Sequence, residues 1–273
     1  NMLKFLKNWT LPLAMFAGAI GYFLLANVTI LEPAKPFVNW LIAVLTPFLI
    51  FAQLLLTFCK IEPKELLPKA WHVWLLSIQA VSSGIIALLL IFCPMEEAYR
   101  DIFEGAMVCL ICPTATAAAV ITGKLGGSAS TLTTYTLLSN VLAAIAVPLV
   151  FPLVEPHADI TFVVAFLKIL SKVFPLLLAP FFIALLFRYY IPSVHRLLSK
   201  YHGVAFYLWA VALTIVTGQT VRSLVTAAAD VSIEIMIALA GLATCCLQFY
   251  FGKRIGSAYH DRISAGQALG QKN

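Results

Sequence analysis

Eight apolar runs, at about residues 9–26, 36–59, 70–93, 98–123, 129–153, 162–190, 204–225 and 232–252, are each long enough to cross a bilayer, which takes about 20 mostly apolar residues. In hydrocarbon there is no water for backbone N–H and C=O groups, so each run must close its own hydrogen bonds as a helix. Composition agrees: 62% of the 273 residues are hydrophobic and 11% charged, against about 45–50% and about 25% in soluble domains. A soluble enzyme, a nucleic-acid binder and a disordered chain are excluded together. In an all-α polytopic membrane protein the net charge of +6 belongs to loops beside the lipid bilayer.

Charge also gives orientation. With the N-terminus in the cytoplasm, twelve lysines and arginines fall on inner segments, from Lys4 and Lys7 to Arg262. Five fall outside: Lys35, Arg100, Lys168, Lys172 and Arg222. Basic residues favour the cytoplasmic side, so a multi-pass protein of a cell inner membrane with a cytoplasmic N-terminus is expected. The first run is too long for the apolar core of a signal peptide and reads as a true span. Trp40, Trp71, Trp74, Tyr189 and Tyr190 near span ends fit an interfacial aromatic belt. Cys109 and Cys112 form a CxxC, but no histidine or second cysteine pair lies nearby in sequence. The six cysteines read as small buried hydrophobes, and no metal or cofactor is expected.

The fourth run is the unusual one. Pro113 lies in its middle, followed by Thr114, Thr116 and a string of small residues. Proline removes one helical hydrogen bond and crowds the carbonyl four residues back; in lipid the freed carbonyls need other partners. A proline kink packed by small residues is the simpler reading, a discontinuous helix the stronger one. The fifth run favours the second with a polar face of Thr131, Thr133, Thr134, Thr136, Ser139 and Asn140. Its hydroxyls can bond back to their own helix, whereas Asn140 needs a partner elsewhere. A ninth, Gly- and Gln-rich element begins near Arg262 and reaches Asn273. Interrupted segments at corresponding positions of two halves point to a transporter binding site. Spans four and nine are five apart, which implies an inverted five-plus-five repeat with helices 4 and 9 discontinuous. This chain would then hold eight full spans and the start of a ninth, about one and a half helices short of the ten-helix plan.

Several pieces carry a resemblance: Thr57-Phe58-Cys59-Lys60-Ile61-Glu62-Pro63-Lys64-Glu65 after span two, Gln79 in span three, Cys112-Pro113 in span four, and Gly266-Gln267 to Gln271 opening span nine. In order and spacing the chain resembles the bile acid:sodium symporter family of secondary transporters. The resemblance implies panel helices (spans 1, 2, 6 and 7; residues 1–68 and 160–227) and core helices (spans 3, 4, 5, 8 and 9; residues 69–159 and 228–273). Spans four and nine would cross at their breaks, beside the substrate cavity. It implies Gln79, Thr136, Gln267 and Gln271 as sodium-binding positions. Gln267 stands where the family has an acidic ligand, and Ala118 and Ala119 where it has Ser-Asn. A hard cation wants oxygen ligands and an anion among them, so these departures weaken a sodium site. Lys272 takes a position usually held by asparagine, and an ammonium there is a candidate substitute for the cation.

The function expected is secondary transport of a small organic anion, bile-acid-like or another organic acid, by alternating access with family-implied sodium symport. Proton-coupled or sodium-independent carriage is the nearest alternative, and a ligand-binding membrane receptor that does not transport is the alternative of another class. Candidate substrate-binding residues are Thr114 and Thr116 at the positive end of the second half of span four, with Asn140 and Gln219. An enzyme is not expected: no HExxH, no GxSxG and no carboxylate pair within a span is present. The sequence assigns no nucleic-acid partner and no oligomeric state.

Overall fold

The computed structural model describes residues 9–60, 67–115, 117–156, 161–201, 203–226 and 231–272, with residues 29–31, 120 and 124 described by backbone alone. Thr116, Lys4, Lys7 and the 61–65 end of the post-span-two motif lie outside these residues. The helices are α1 (Thr10–Asn27), α2 (Lys35–Lys60), α3 (Ala70–Phe92), α4 (Glu97–Ile111), α5 (Ala118–Lys124), α6 (Ala129–Val154), α7 (Phe162–Tyr190), α8 (Pro192–Lys200), α9 (Val204–Thr226), α10 (Val231–Ala258) and α11 (Arg262–Gly270), with a 3-10 turn at Thr29–Ala34. Seven of them, α1, α2, α3, α6, α7, α9 and α10, are long and apolar enough to cross a membrane. The protein is an all-helical multi-pass membrane protein.

The fourth run is not one helix over 98–123. It divides into α4 of 15 residues and the short α5 of 7, so neither piece counts as a full-length apolar span. Pro47, Pro148, Pro152, Pro175 and Pro180 lie inside continuous helices; at Pro113 alone the chain leaves the helix. Two further differences concern helix ends. α10 continues to Ala258, six residues past the apolar run. The added turn holds Lys253 and Arg254, whose stems lie along the helix while their charges reach out: Lys253 Nζ sits 5.8 Å from the Phe249 ring centre. α8 begins with proline, which suits a first turn, and sets Val194, Leu197 and Leu198 against His195, Arg196 and Lys200. Such a helix lies along a membrane surface, and Ser199 Oγ ties it to α2 by donating to Cys59 O at 2.7 Å.

Packing falls into two sets. α1 lies along α9, α9 along α2, and α2 along α7. Separately, α3, α4, α6, α10 and α11 pack on one another, with α5 held by α6 and α11. The main seam between the sets is α6 against α7. There Leu54, Phe58, Ala143, Ala144, Leu177 and Leu178 form one buried cluster, and Asn140 Nδ2 crosses to donate to Leu177 O at 3.4 Å. A second cluster joins Trp71, Leu75, Leu132, Tyr135, Ala265 and Leu269. Trp71 is thus no interfacial residue: it is fully buried and stacks on Tyr135 at 6.0 Å. Positions 71, 75 and 79 recur every four residues and share the inward face of α3. Trp40, Trp74, Tyr189 and Tyr190 are exposed, as a belt requires.

One end of the second set is tied by Arg100, which pairs with Glu104 at 2.9 Å and donates to Leu90 O and Val154 O. At the other end Asp261 accepts from Lys69 Nζ at 3.2 Å and from Thr131 Oγ1 at 3.3 Å. The chain reverses between α10 and α11 through His260, whose φ of 56° is left-handed. α11 then folds back along α10 over Gly252 and Gly256, a small-xxx-small pair that permits close approach. A Cβ on Gly252 would stand 2.6 Å from Ala265 O and 3.0 Å from Gly266 Cα. Gly252→Leu is therefore expected to cost about 1–3 kcal/mol by overpacking and to lower the thermal unfolding midpoint in detergent. Gly84→Leu, where an added Cβ meets nothing within 4 Å, should leave that midpoint unchanged.

Candidate functional site

The site begins with the carbonyls that Pro113 leaves unpaired. Proline has no N–H, so Cys109 O loses its helical donor; Gln248 Nε2 of α10 approaches it at 3.4 Å. The last carbonyls of α4 face the same deficit. Gln79 of α3 meets it with one amide group: Nε2 donates to Ile111 O and to Cys112 O, both at 3.0 Å. Its Oε1 in turn accepts from Tyr135 OH at 3.1 Å and from Ser139 Oγ at 3.5 Å. Thr114 N, which would have closed the next helical bond, donates to Ser139 Oγ at 3.2 Å. Side chains from three helices thus satisfy one broken end, and Gln79, Tyr135, Ser139 and Thr114 are all buried.

The other partner of the break is α11. Residues Thr114 and Lys272 form an antiparallel bridge, and Ala115 N donates to Gln271 O at 2.9 Å. Thr114 Oγ1 donates to Ala268 O at 2.7 Å, and Cys245 Sγ lies 3.7 Å from Gly270 O. The C-terminal ends of α4 and α11 therefore meet at one place and supply each other with donors. Both ends carry the negative pole of a helix dipole, so the crossing favours a positive charge.

Three buried groups nearby on α11 and its continuation have no hydrogen-bond partner among the described residues: Gln267 Oε1, Gln271 Oε1 and Lys272 Nζ. Gln267 and Gln271 are four apart and share a helical face. A buried polar atom without a partner costs about 1–3 kcal/mol, and such atoms in a native protein ask for an explanation. Two free amide oxygens beside an ammonium, at the joined negative ends of two helices, make a site whose chemistry is that of a cation and its ligands.

The remaining candidate residues are dispersed. Thr136 donates to Leu132 O of its own helix at 3.1 Å, as Thr133 and Thr134 do to Ala129 O and Ser130 O. Asn140 keeps an unpartnered Oδ1 while its amide crosses to α7. Gln219 is not at the crossing: it lines a cavity between α1, α2 and α9. Three members of the site were not singled out as site residues from sequence. Gln248 is the lone amide in its apolar run, and Tyr135 lies mid-span where an interfacial aromatic would not. Ser139 was one hydroxyl among several. A polar group deep in a membrane segment is a functional candidate by default, and that rule would have found Gln248.

A family model described as the Sodium Bile acid symporter family matches residues 4–227. Comparison with curated proteins finds no match. The capping role of Gln79 is open to direct test. Gln79→Leu strands two buried carbonyls at about 1–3 kcal/mol each, and Gln79→Glu replaces a double donor with an acceptor. Both should unfold well below the wild type in a thermal melt, with Tyr135→Phe intermediate at about 1 kcal/mol. Wild-type stability of Gln79→Leu would show that the broken end has another source of donors.

Proposed function

Because the chain belongs to the sodium bile acid symporter family, a family of transporters, we propose that it is a secondary transporter of a small organic anion in a cell inner membrane, with its N-terminus cytoplasmic. The observation that carries this reading is the joined break of α4 and α11. Irregular backbone at membrane depth survives only where protein or a water-filled cavity covers it, and paired broken helices are how transporters expose backbone poles to a solute. Under this reading α4 and α5 together make the fourth of eight spans, and α11 opens a ninth within an inverted five-plus-five plan. The α1, α2, α7, α9 set serves as panel, and the set around α3 and α6 as core. The core shifts against the panel along the α6–α7 seam. The anion meets the polar groups around Thr114 and Thr116, with Asn140 at the seam.

Coupling is where this chain departs from its family. A sodium ion at the crossing would find Gln267 and Gln271 but no carboxylate, and Gln79 already accepts two hydrogen bonds. Lys272, by contrast, brings a cationic group to the place where two negative helix ends converge. An unpaired ammonium in a membrane is costly; the free oxygens of Gln267 and Gln271 and the carbonyl ends offset that cost. In this reading the ammonium stands in for sodium, and carriage of the anion is independent of sodium.

A thermal-shift screen of organic acids in sodium, potassium or choline salts tests the proposal. A cognate acid at about 100 times its dissociation constant adds about 2.7 kcal/mol of stability, and this gain should be equal in the three salts. Lys272→Met should lose the gain or make it sodium-dependent. A sodium-specific stabilisation of the wild type, or uptake into proteoliposomes that requires sodium, would refute the substitution by Lys272 and return the chain to ordinary symport.

A further inference from the structure

A second cavity lies away from the crossing, between α1, α2 and α9, with a volume of about 680 Å³. Its origin is a helix contact that is very close at one point and open at the next turn. At Gly18 the backbones of α1 and α9 touch: an added Cβ would run into Thr214 O and stand 3.0 Å from Gly218 N. One turn on, at Gly21, an added Cβ meets nothing within 4 Å. The helices are pinned at Gly18–Gly218 and part beyond it. Glycine at 18 answers to packing, whereas at 21 it leaves space.

The cavity has two distinct ends. Toward Gly18 its walls are apolar and small, with Ala17, Ile42 and Ala43. Toward the end of α1, the start of α2 and the end of α9 it carries Lys35, Asn39, Gln219 and Arg222. Two cations and no carboxylate line it. Lys35 has a loose, exposed pair with Glu32 at 3.5 Å. Arg222 has five N–H donors, and among the described residues only Asn39 Oδ1 engages them, at 2.9 Å. That bond fixes the guanidinium and leaves its remaining donors for a ligand. From Gly18 to Ala26 is eight residues, or about 12 Å of helix, which sets the depth of the apolar part. Volumes of about 300–1,000 Å³ with apolar walls and a few convergent polar groups are those of small-molecule sites.

We propose that this cavity binds an amphiphilic organic monoanion with a single apolar body, its acidic head on Arg222 and Lys35 and its body along Gly21 toward Gly18. The site is separate from the crossing: among the described residues α1, α2 and α9 pack mainly on one another and on α7 and α8, with no extensive packing on α4 or α11. Gln219 belongs to this cavity, as a neutral hydrogen-bonding partner beside the head group. The proposal does not depend on the transport reading, since it concerns binding alone. A two-chain phospholipid is a poor match for a closed depth of about 12 Å, whereas a single chain or a compact acid fills it.

Calorimetric titration of the intact chain in phosphatidylcholine nanodiscs, with decanoate as probe and decanol as its uncharged counterpart, decides the matter. Decanoate should bind saturably and about tenfold or more tighter than decanol, as a charge-assisted hydrogen bond to Arg222 requires. Arg222→Gln, a substitution at an exposed side chain, should weaken decanoate about tenfold and leave decanol unchanged. Gly21→Leu should abolish decanoate binding without lowering the thermal midpoint of the empty protein, because leucine is the better helix former. Ala43→Phe fills the same space from the facing helix and guards against misfolding of the first variant. Equal affinity for decanoate and decanol, or wild-type affinity in both Arg222→Gln and the filled variants, overturns the proposal. Displacement of decanoate by equimolar phosphatidylglycerol also overturns it, by making a lipid head group the occupant.

Discussion

A handful of carbonyl oxygens in the middle of a membrane controls the arrangement of this protein. Once Pro113 removes a donor and the chain leaves the helix, Cys109 O, Ile111 O and Cys112 O have no partner of their own. Water would settle the deficit in a soluble protein, and hydrocarbon cannot. The answer is drawn from far along the chain: Gln79, Gln248 and Ser139 approach from three different helices, and Ala268 and Gln271 accept from the segment beyond the break. The positions of α3, α6, α10 and α11 are thereby fixed relative to α4. Packing of Trp71, Tyr135 and Leu269 then fills the space around them.

Much of this plan was legible from sequence, for reasons that differ by element. Bilayer thickness fixes helix length, so the boundaries of α1, α3, α6, α7 and α9 lie within a few residues of the apolar runs. The break at Pro113 was legible because small and polar residues follow it. The tolerance of Pro148 or Pro175 was not, because continuity there depends on neighbouring helices. The bridge between Thr114 and Lys272 spans more than half the chain, and local pattern carries no trace of it. Trp71 misled because an aromatic at a span end has two uses, and only its four-residue spacing to Leu75 and Gln79 separates them. α8 escaped notice because nine residues with three basic side chains look like loop. Gln219 shares a span with Arg222 and was placed with the solute site; helix packing instead turns that face toward α1 and α2.

The two packing sets differ in how they are held. The set around α3 and α6 is bound by buried hydrogen bonds between helices, several of them to main-chain atoms. In the set of α1, α2 and α9, the hydroxyls of Thr214, Thr217 and Thr220 bond back to their own helix, and close contact is by glycine. The first is directional and resists sliding; the second relies on surface fit, which lipid tails also offer. Between them stands Asn140, with one amide bond across the seam and one oxygen left over.

The bridge at the crossing is made by peptide groups, and peptide groups are common to every residue but proline. Exchanging the side chains at 114, 115, 271 or 272 changes the charge, size and ion preference of the place while the joint itself keeps its hydrogen bonds. A scaffold of this kind separates mechanical identity from chemical identity. One lineage of such proteins can carry a carboxylate and another a lysine across the same hinge, and the exchange of one for the other need not pass through an unfolded ancestor.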